Sequence, residues 1–548
     1  MPVVELNLNR IKKLISGNAT KKKILHTLPF LGLDIESQDG DQIRVEYSPN
    51  RPDYSTDYGI ALGLQGLLGI KKGAQKISIK KEGRYKIMVD SSVSKIRPFV
   101  TGIVAKNGTI NDQGIKQLMN MQEDLHFGIG RKRKKSSIGL HDLDTISFPL
   151  TYTTSTREHS FVPLNSVTES TISEILSNTE VGQNYGWILD DSKNVPIIID
   201  GKGNTISFPP IINSAVTTVT TKTKNILVEV TSLDKDAAED MLSVISIILQ
   251  TAGFQISELQ ISGAKNSTPR LNSKIIQFEP KLTEEMLGLY MNHSTIVTSL
   301  KKCRLDALKK GKKIQCTIPR YRFDIFGQMD IVEEIALGYG IENLEPRLTP
   351  SETLGEKNSI TKKLERISKI TVGFGFTEVL NSNLTSKKIL FDFTNRNPSK
   401  LLSVLDSKSQ EHTILRNSML PGLIENISKN IHESYPQKLF ETGTIFSKED
   451  PINETIHFAA VMAYKESNFS EMKAILQSIL KTGFKLDSTT STPQHTDELF
   501  TQGRFSDIFV DQRMIGHIGE VNSDVLNNFK IRTPVVCFEI NLSGLIFD

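Results

Sequence analysis

Between residues 42 and 47 apolar and polar positions alternate. Ile43, Val45 and Tyr47 share one side and Arg44 and Glu46 the other, the period-two pattern of a half-buried strand. Ser48-Pro49-Asn50-Arg51-Pro52-Asp53 ends it, because two prolines fix the backbone and remove donors. The spacing then becomes helical. Ala61, Leu64, Leu67 and Leu68 predict a helix that stops at Gly69. Further on, 195–200 and 205–208 read as two apolar strands joined by Gly201-Lys202-Gly203-Asn204, a hairpin turn composition. The stretch 225–231 predicts another strand. It places Leu227, Glu229 and Thr231 on one face and Ile226, Val228 and Val230 on the opposite one. Asp234 is placed to cap a following helix whose apolar face includes Ala238, Met241, Leu242, Ile245 and Leu249.

Residues 270–347 read as helix, helix, strand, helix. From about 355 onward, amphipathic helices mix with strands. Leu420, Leu423, Ile424, Ile427 and Ile431 mark one helix, and 534–540 closes the chain with a strand. The expected architecture is therefore α+β and multidomain, with an N-terminal α/β module over 1–80, an α+β domain over 81–265, a helical module over 270–347 and a mixed domain over 355–548. No tandem repeat or low-complexity tract interrupts this order.

Composition narrows the class. A chain of 548 residues is too long for one core, and 38% hydrophobic with 23% charged residues is ordinary globular usage. Apolar runs such as 242–249 are far too short to span a bilayer, so no membrane association is expected. The start, Met1-Pro2-Val3-Val4-Glu5, has no basic region leading into an apolar one, as a secretion signal would. Cys303, Cys316 and Cys537 are odd in number and widely spaced, which fits a reducing cytoplasm rather than a disulfide framework. The net charge is only +4, but Lys21-Lys22-Lys23 and Arg131-Lys132-Arg133-Lys134-Lys135 concentrate it. Such runs either meet phosphates through counterion release or form a solvated face.

Several chemistries are missing from the text of the chain. It has no G-x-x-x-x-G-K-[ST] loop, no H-E-x-x-H or paired C-x-x-C, and no G-x-S-x-G elbow, which argues against a P-loop nucleotide site, zinc and a serine hydrolase. His517-Ile518-Gly519-Glu520 imitates a nucleotide-binding signature but reads as part of a strand. Gly128-Ile129-Gly130-Arg131 is the nearest imitation of an arginine-bearing ATP motif, and it lies in a different domain from the one that would need it.

The most informative string is Asp324-Ile325-Phe326-Gly327-Gln328-Met329-Asp330-Ile331-Val332-Glu333-Glu334. On a helix, 330, 333 and 334 share one face, and with Asp324 they offer the hard oxygen ligands that magnesium prefers. Alternatively, Asp330 and Glu333 belong to a helix N-terminus, where acids satisfy orphan donors. Taken with Ile318-Pro319-Arg320-Tyr321-Arg322-Phe323 before it and Gly338-Tyr339-Gly340 after it, the string resembles the magnesium-binding module of phenylalanyl-tRNA synthetase beta subunits of the archaeal and eukaryotic type. Three further stretches resemble the same family in the same order. They are 48–53 with Gly59-Ile60-Ala61, then 139–145 with 207–213, then 415–423 with Phe440-Glu441-Thr442-Gly443.

The resemblance implies a winged-helix-like module with Asp324, Asp330, Glu333 and Glu334 as magnesium ligands. It also implies an editing domain over 81–265 and a class II synthetase-like domain, an antiparallel sheet with helices, that lacks the active site. The implied partners are an alpha subunit that binds ATP and phenylalanine, in a two-alpha, two-beta assembly, and tRNA(Phe). The implied editing reaction is hydrolysis of mischarged Tyr-tRNA(Phe). Family editing pockets place an acid and a threonine on one strand, which Glu229 and Thr231 match, with Ser207, Ile197, His141 and Asp142 as further candidates. The other reading of Glu229 and Thr231 is the polar face of an exposed strand. Arg131, Lys132, Arg133, Lys134 and Lys135 are the expected RNA contacts. No residue stands out as a covalent nucleophile.

Overall fold

The computed structural model describes residues 2–190, 193–262, 268–346, 348, 354–398, 401–407 and 409–545. The chain forms two compact units, Met1–Arg347 and Leu348–Asp548.

In the first unit, Gln42–Tyr47 is the central strand of a three-stranded antiparallel sheet, between Val3–Asn7 and Leu33–Asp39. Its alternation is realised, with Ile43, Val45 and Tyr47 all buried. The next helix, Asp57–Leu67, begins where Thr56 accepts a hydrogen bond from the Gly59 amide. The sequence predicted an apolar stripe, yet every residue from Asp57 to Gly66 is buried. Glycine makes this possible. A Cβ on Gly66 would lie 2.0 Å from the Lys302 carbonyl oxygen, so only a bare backbone lets the helix His293–Lys302 pack so closely.

Two sheets follow. The five-stranded sheet runs in the order Ile79–Lys80, Gln255–Glu258, Phe99–Lys106, Ile226–Ser232, Ser136–Asp142. The six-stranded sheet runs Ile212–Asn213, Thr205–Phe208, Val195–Ile199, Leu150–Ser155, Lys86–Val89, Gln260–Ile261. Parity along Ile226–Ser232 sets the layers. Ile226, Val228 and Val230 pack against the helices Asp112–Phe127 and Lys235–Thr251. Leu227 faces the other way, with Val104, into a core shared with Tyr152, Ile198 and Ile206 of the second sheet. Asp234 caps Lys235–Thr251 as expected, accepting from the amides of Asp236 and Ala237. Ile79–Lys80 pairs in parallel with Gln255–Glu258, so this short strand joins the sheet of the following segment.

Beyond residue 270, three strands appear where the sequence suggested one. Lys274–Phe278, Asp306–Lys310 and Lys313–Ile318 form a sheet with Lys313–Ile318 in the middle, beside the helices Pro280–Leu287, His293–Lys302 and Gln328–Tyr339. Lys274–Phe278 is an edge strand with little buried alternation, which is why its pattern was faint.

The second unit is a seven-stranded sheet, in the order Thr377–Glu378, Gln437–Ser447, Asn453–Ala463, Val535–Asn541, Arg513–Val521, Phe500–Val510, Ser488–Ser491. All its neighbours are antiparallel except the first pair. On the closing strand, Val536, Phe538 and Ile540 face a core with the helices Ser359–Gly373 and Phe469–Phe484. Val535 and Cys537 face a second core with Leu420–Lys429 and Ser523–Asn528. His517 to Glu520 lie in a strand, as read. Ile431, assigned to the helix from its spacing, lies beyond the helix end and is exposed. No helix among the described residues is long and apolar enough to cross a membrane.

Candidate functional site

Glu229 sits midway along Ile226–Ser232, the fourth strand of the five-stranded sheet, opposite Gly102 on one neighbour and Gly139 on the other. Its side chain points toward the six-stranded sheet and is 2% exposed. Oε1 accepts a hydrogen bond from Ser207 Oγ at 2.9 Å, which bridges the two sheets. Oε2 is buried without a partner. His141, wholly buried on the adjacent strand, brings Nε2 to 3.8 Å from Glu229 Oε1, beyond hydrogen-bonding range, and that nitrogen is also unpartnered.

His141 is held through its other nitrogen. Nδ1 lies 2.8 Å from Thr217 Oγ1, which also lies 3.3 Å from the Ser214 carbonyl oxygen. Nδ1 and the Thr217 hydroxyl share one hydrogen bond, in which either atom can donate. Glu229 Oε2 and His141 Nε2, on adjacent strands, are thus two buried polar atoms without a protein partner. Gly139 lets both side chains lie against its bare backbone. A Cβ there would lie 2.4 Å from Glu229 Oε1 and 2.6 Å from His141 Nε2.

Thr231 shares the face of Glu229, as the alternation required, but its hydroxyl is committed. It accepts from Arg97 Nε at 2.9 Å and lies 3.0 Å from Ser137 Oγ. Burial pushes the Arg97 guanidinium down to about 10, against the opposing pull of Tyr152 and Glu229. Both faces of this strand are buried, so the exposed-strand reading of Glu229 and Thr231 does not hold. The structure does not bring Asp142 and Ile197 to Glu229. Asp142 holds its own turn, accepting from the Asp144 amide and from Thr223 Oγ1. Ile197 lies in a separate core with Phe161, Ile172 and Phe208. It is Ile198 that pairs with Ser207 and faces the intersheet core, because successive residues of a strand point to opposite faces.

The basic run is not uniform. Arg131, Lys132 and Arg133 have φ of 48°, 53° and 66°, a left-handed turn tied down by the Arg97 guanidinium, which donates to the Arg133 and Lys134 carbonyls. Arg133 is structural. It pairs with Glu123, donates to the Ile211 carbonyl and stacks over Tyr185. Lys135 pairs with Asp234. Arg131, Lys132 and Lys134 are exposed.

The acidic string takes a different form from the one its spacing suggested. Arg322, buried, donates to both Asp324 and Glu334. Burial alone would raise the Asp324 carboxyl, but the charge and hydrogen bonds of Arg322 outweigh it and hold it below the usual range. Asp330 Oδ2 accepts from the Phe326 and Gly327 amides at 2.7 and 2.8 Å, closing the N-terminus of Gln328–Tyr339. Glu333 is exposed. Among the described residues no three His, Cys, Asp or Glu side chains are grouped to hold a metal ion. As folded, Arg322 supplies the counter-charge to Asp324 and Glu334 and the helix end takes Asp330, so the four carboxylates are not drawn together as a four-carboxylate magnesium site requires.

Arg51 and Asp53, from the Ser48–Asp53 string, line the same small cavity as Arg322 and Glu334, with Arg51 bidentate on Asp53 and 3.8 Å above the Tyr54 ring. Two strings that lie far apart in sequence thus share one buried ion-pair cluster. In the second unit, likewise, Arg416 and Glu441 form a buried pair at 2.6 Å, joining 415–423 to 440–443. Sequence reasoning missed Arg97 and Thr217, which act on residues distant in the chain and carry no local mark, and it gave no role to Gly139 within the 139–145 stretch.

Three family models match the chain. A B3/4 domain covers residues 84–244, a tRNA synthetase B5 domain 276–341, and a phenylalanyl tRNA synthetase beta chain CLM domain 344–542. Together they define a subunit of an aminoacyl-tRNA synthetase. Curated relatives cover the whole length. The phenylalanine–tRNA ligase beta subunit of Archaeoglobus fulgidus is 37% identical over all of this chain and 99% of its own, and that of Methanocaldococcus jannaschii is 34% identical over 99% and 100%. A crystal structure of an N-terminal fragment of the Pyrococcus horikoshii phenylalanyl-tRNA synthetase beta subunit matches with a TM-score of 0.59 and 27% identity, over 62% of this chain and 100% of the fragment. The chain belongs to the phenylalanine–tRNA ligase beta subunit family.

Proposed function

We propose that the chain works with a separate alpha subunit, in a two-alpha, two-beta phenylalanine–tRNA ligase of the cytoplasm, and that it clears Tyr-tRNA(Phe) at the Glu229–His141 site. ATP and phenylalanine are bound by the alpha subunit, and magnesium belongs with the ATP phosphates there. The observation that carries the editing reading is the pair of buried polar atoms, Glu229 Oε2 and His141 Nε2, without a hydrogen-bond partner.

An apolar pocket built for phenylalanine rejects an added hydroxyl only about a hundredfold, so tyrosine is the natural error. The Glu229 site reverses that preference. A tyrosine phenol donates its proton to Glu229 Oε2, whereas phenylalanine leaves that buried oxygen unpaired. Ser207, held on the second sheet, steadies the carboxylate from the opposite side. These groups orient the aminoacyl ester, and none is placed as a covalent nucleophile. Water attack is therefore assisted by the tRNA end and backbone groups.

The test compares the alpha–beta complex with its Glu229→Ala form. Hydrolysis of Tyr-tRNA(Phe) should fall by roughly ten- to a hundredfold, since a hydrogen bond to a charged group contributes about 1.5–3 kcal/mol. Charging with phenylalanine should stay near the parent rate. If the folded variant clears Tyr-tRNA(Phe) like the parent, the pocket is not an editing site. A parent with no hydrolysis at all would mark the chain as a tRNA-binding scaffold.

A further inference from the structure

Beside the basic turn stand two exposed aromatic rings. Phe127, the last residue of Asp112–Phe127, is 70% exposed, and Trp187 is 48% exposed. Each ring has a lysine beside it. Lys132 Nζ lies 5.8 Å from the Phe127 centroid and Lys134 Nζ 5.7 Å from that of Trp187. The indole N–H is satisfied locally by the Asn184 carbonyl at 3.0 Å, so burial is not needed to pair it.

Exposed aromatics interleaved with free cations suit single-stranded nucleic acid. Unpaired bases stack on rings irrespective of sequence, and cations track the backbone. A duplex offers only phosphates, because its bases are already stacked. We propose that Phe127, Trp187, Arg131, Lys132 and Lys134 form a platform for an unpaired run of nucleotides. Its position follows from two arginines. Arg97 ties the turn to Thr231, on the strand of Glu229. Arg133 ties it to the Ile211 carbonyl, at the end of the hairpin carrying Ser207, and to Tyr185 near Trp187. The platform is thus anchored to both walls of the Glu229 site. That it delivers an RNA end there rests on the editing reading, but its RNA binding does not.

Trp187 is the single tryptophan of the chain, so its fluorescence reports directly on the platform. The full-length chain would be titrated with a short unpaired ribo-oligonucleotide and with a blunt RNA duplex of equal phosphate number. Saturable quenching by the single strand alone is expected. In anisotropy with labelled single strand, Trp187→Ala should weaken binding by about five- to a hundredfold, the range for losing one base–aromatic stack. Trp187→Phe should retain most of the affinity. Lys132→Ser with Lys134→Ser should flatten the salt dependence. Absent quenching, equal binding of the duplex, or an unchanged Trp187→Ala would each overturn the platform. The two readings fail separately. Trp187→Ala should raise KM for Tyr-tRNA(Phe) with kcat little changed, whereas loss of Glu229 lowers kcat. A parent without hydrolysis defeats the editing reading and leaves the quenching result standing.

Discussion

Replacing Gly139 by alanine probes the geometry of the Glu229 site with one methyl group. The added Cβ would stand 2.4 Å from Glu229 Oε1 and 2.6 Å from His141 Nε2, against an ordinary contact limit of 3.4 Å. The carboxylate must therefore retreat by about 1 Å from a position fixed by the 2.9 Å bond from Ser207, and it is buried on all sides. Misplacing a substrate-binding group by 1 Å costs about a hundredfold in rate. Overpacking a core position of this kind costs about 1–3 kcal/mol of stability. The expected outcome is a folded complex that charges phenylalanine normally but hydrolyses Tyr-tRNA(Phe) about a hundredfold more slowly. Single-turnover deacylation and steady-state charging on one preparation would measure both, with thermal melting as the control for folding. A Gly139→Ala complex that deacylates within about twofold of the parent would refute the reasoning, since a 1 Å displacement of the group that positions the substrate cannot be silent.

Arg322→Met should destabilise the first unit by about 3–5 kcal/mol, because it leaves Asp324 and Glu334 buried without their cation. In the same melting assay a chelator should leave the parent unchanged; a chelator-sensitive melt would restore the metal reading of the acidic string. Acid should also act through this cluster. The Asp324 carboxyl lies below its ordinary value, so its contribution is present above the usual carboxylate range and is lost as pH falls through the lowered folded value. Glu539, held low by His457 and Ser418 against its burial, gives the second unit the same sign. Melting temperature should drop steeply below about pH 4, and Arg322→Met should lessen the drop in the first unit; equal slopes in parent and variant would contradict this.

Local periodicity carried much of the reading. The face shared by Leu227, Glu229 and Thr231, the cap at Asp234, and the strand that closes the chain were all legible, because side-chain direction in a strand or helix is set by the backbone geometry of neighbouring residues. The choice of partner was not. Thr231 is held by Arg97, 134 residues away, and Asp57–Leu67 is buried on every side only because other elements close over its glycines. The acidic string shows the division most clearly. Its spacing placed acids on a helix, but the spacing was compatible with either a divalent ion or a helix end. In the folded chain Arg322 is buried between Asp324 and Glu334, with Arg51 and Asp53 lining the same cavity, and Asp330 turns onto the Phe326 and Gly327 amides. A charge removed from water must find its counter-charge within a few ångströms. Which residue lies that close is a property of the folded chain and not of its spacing.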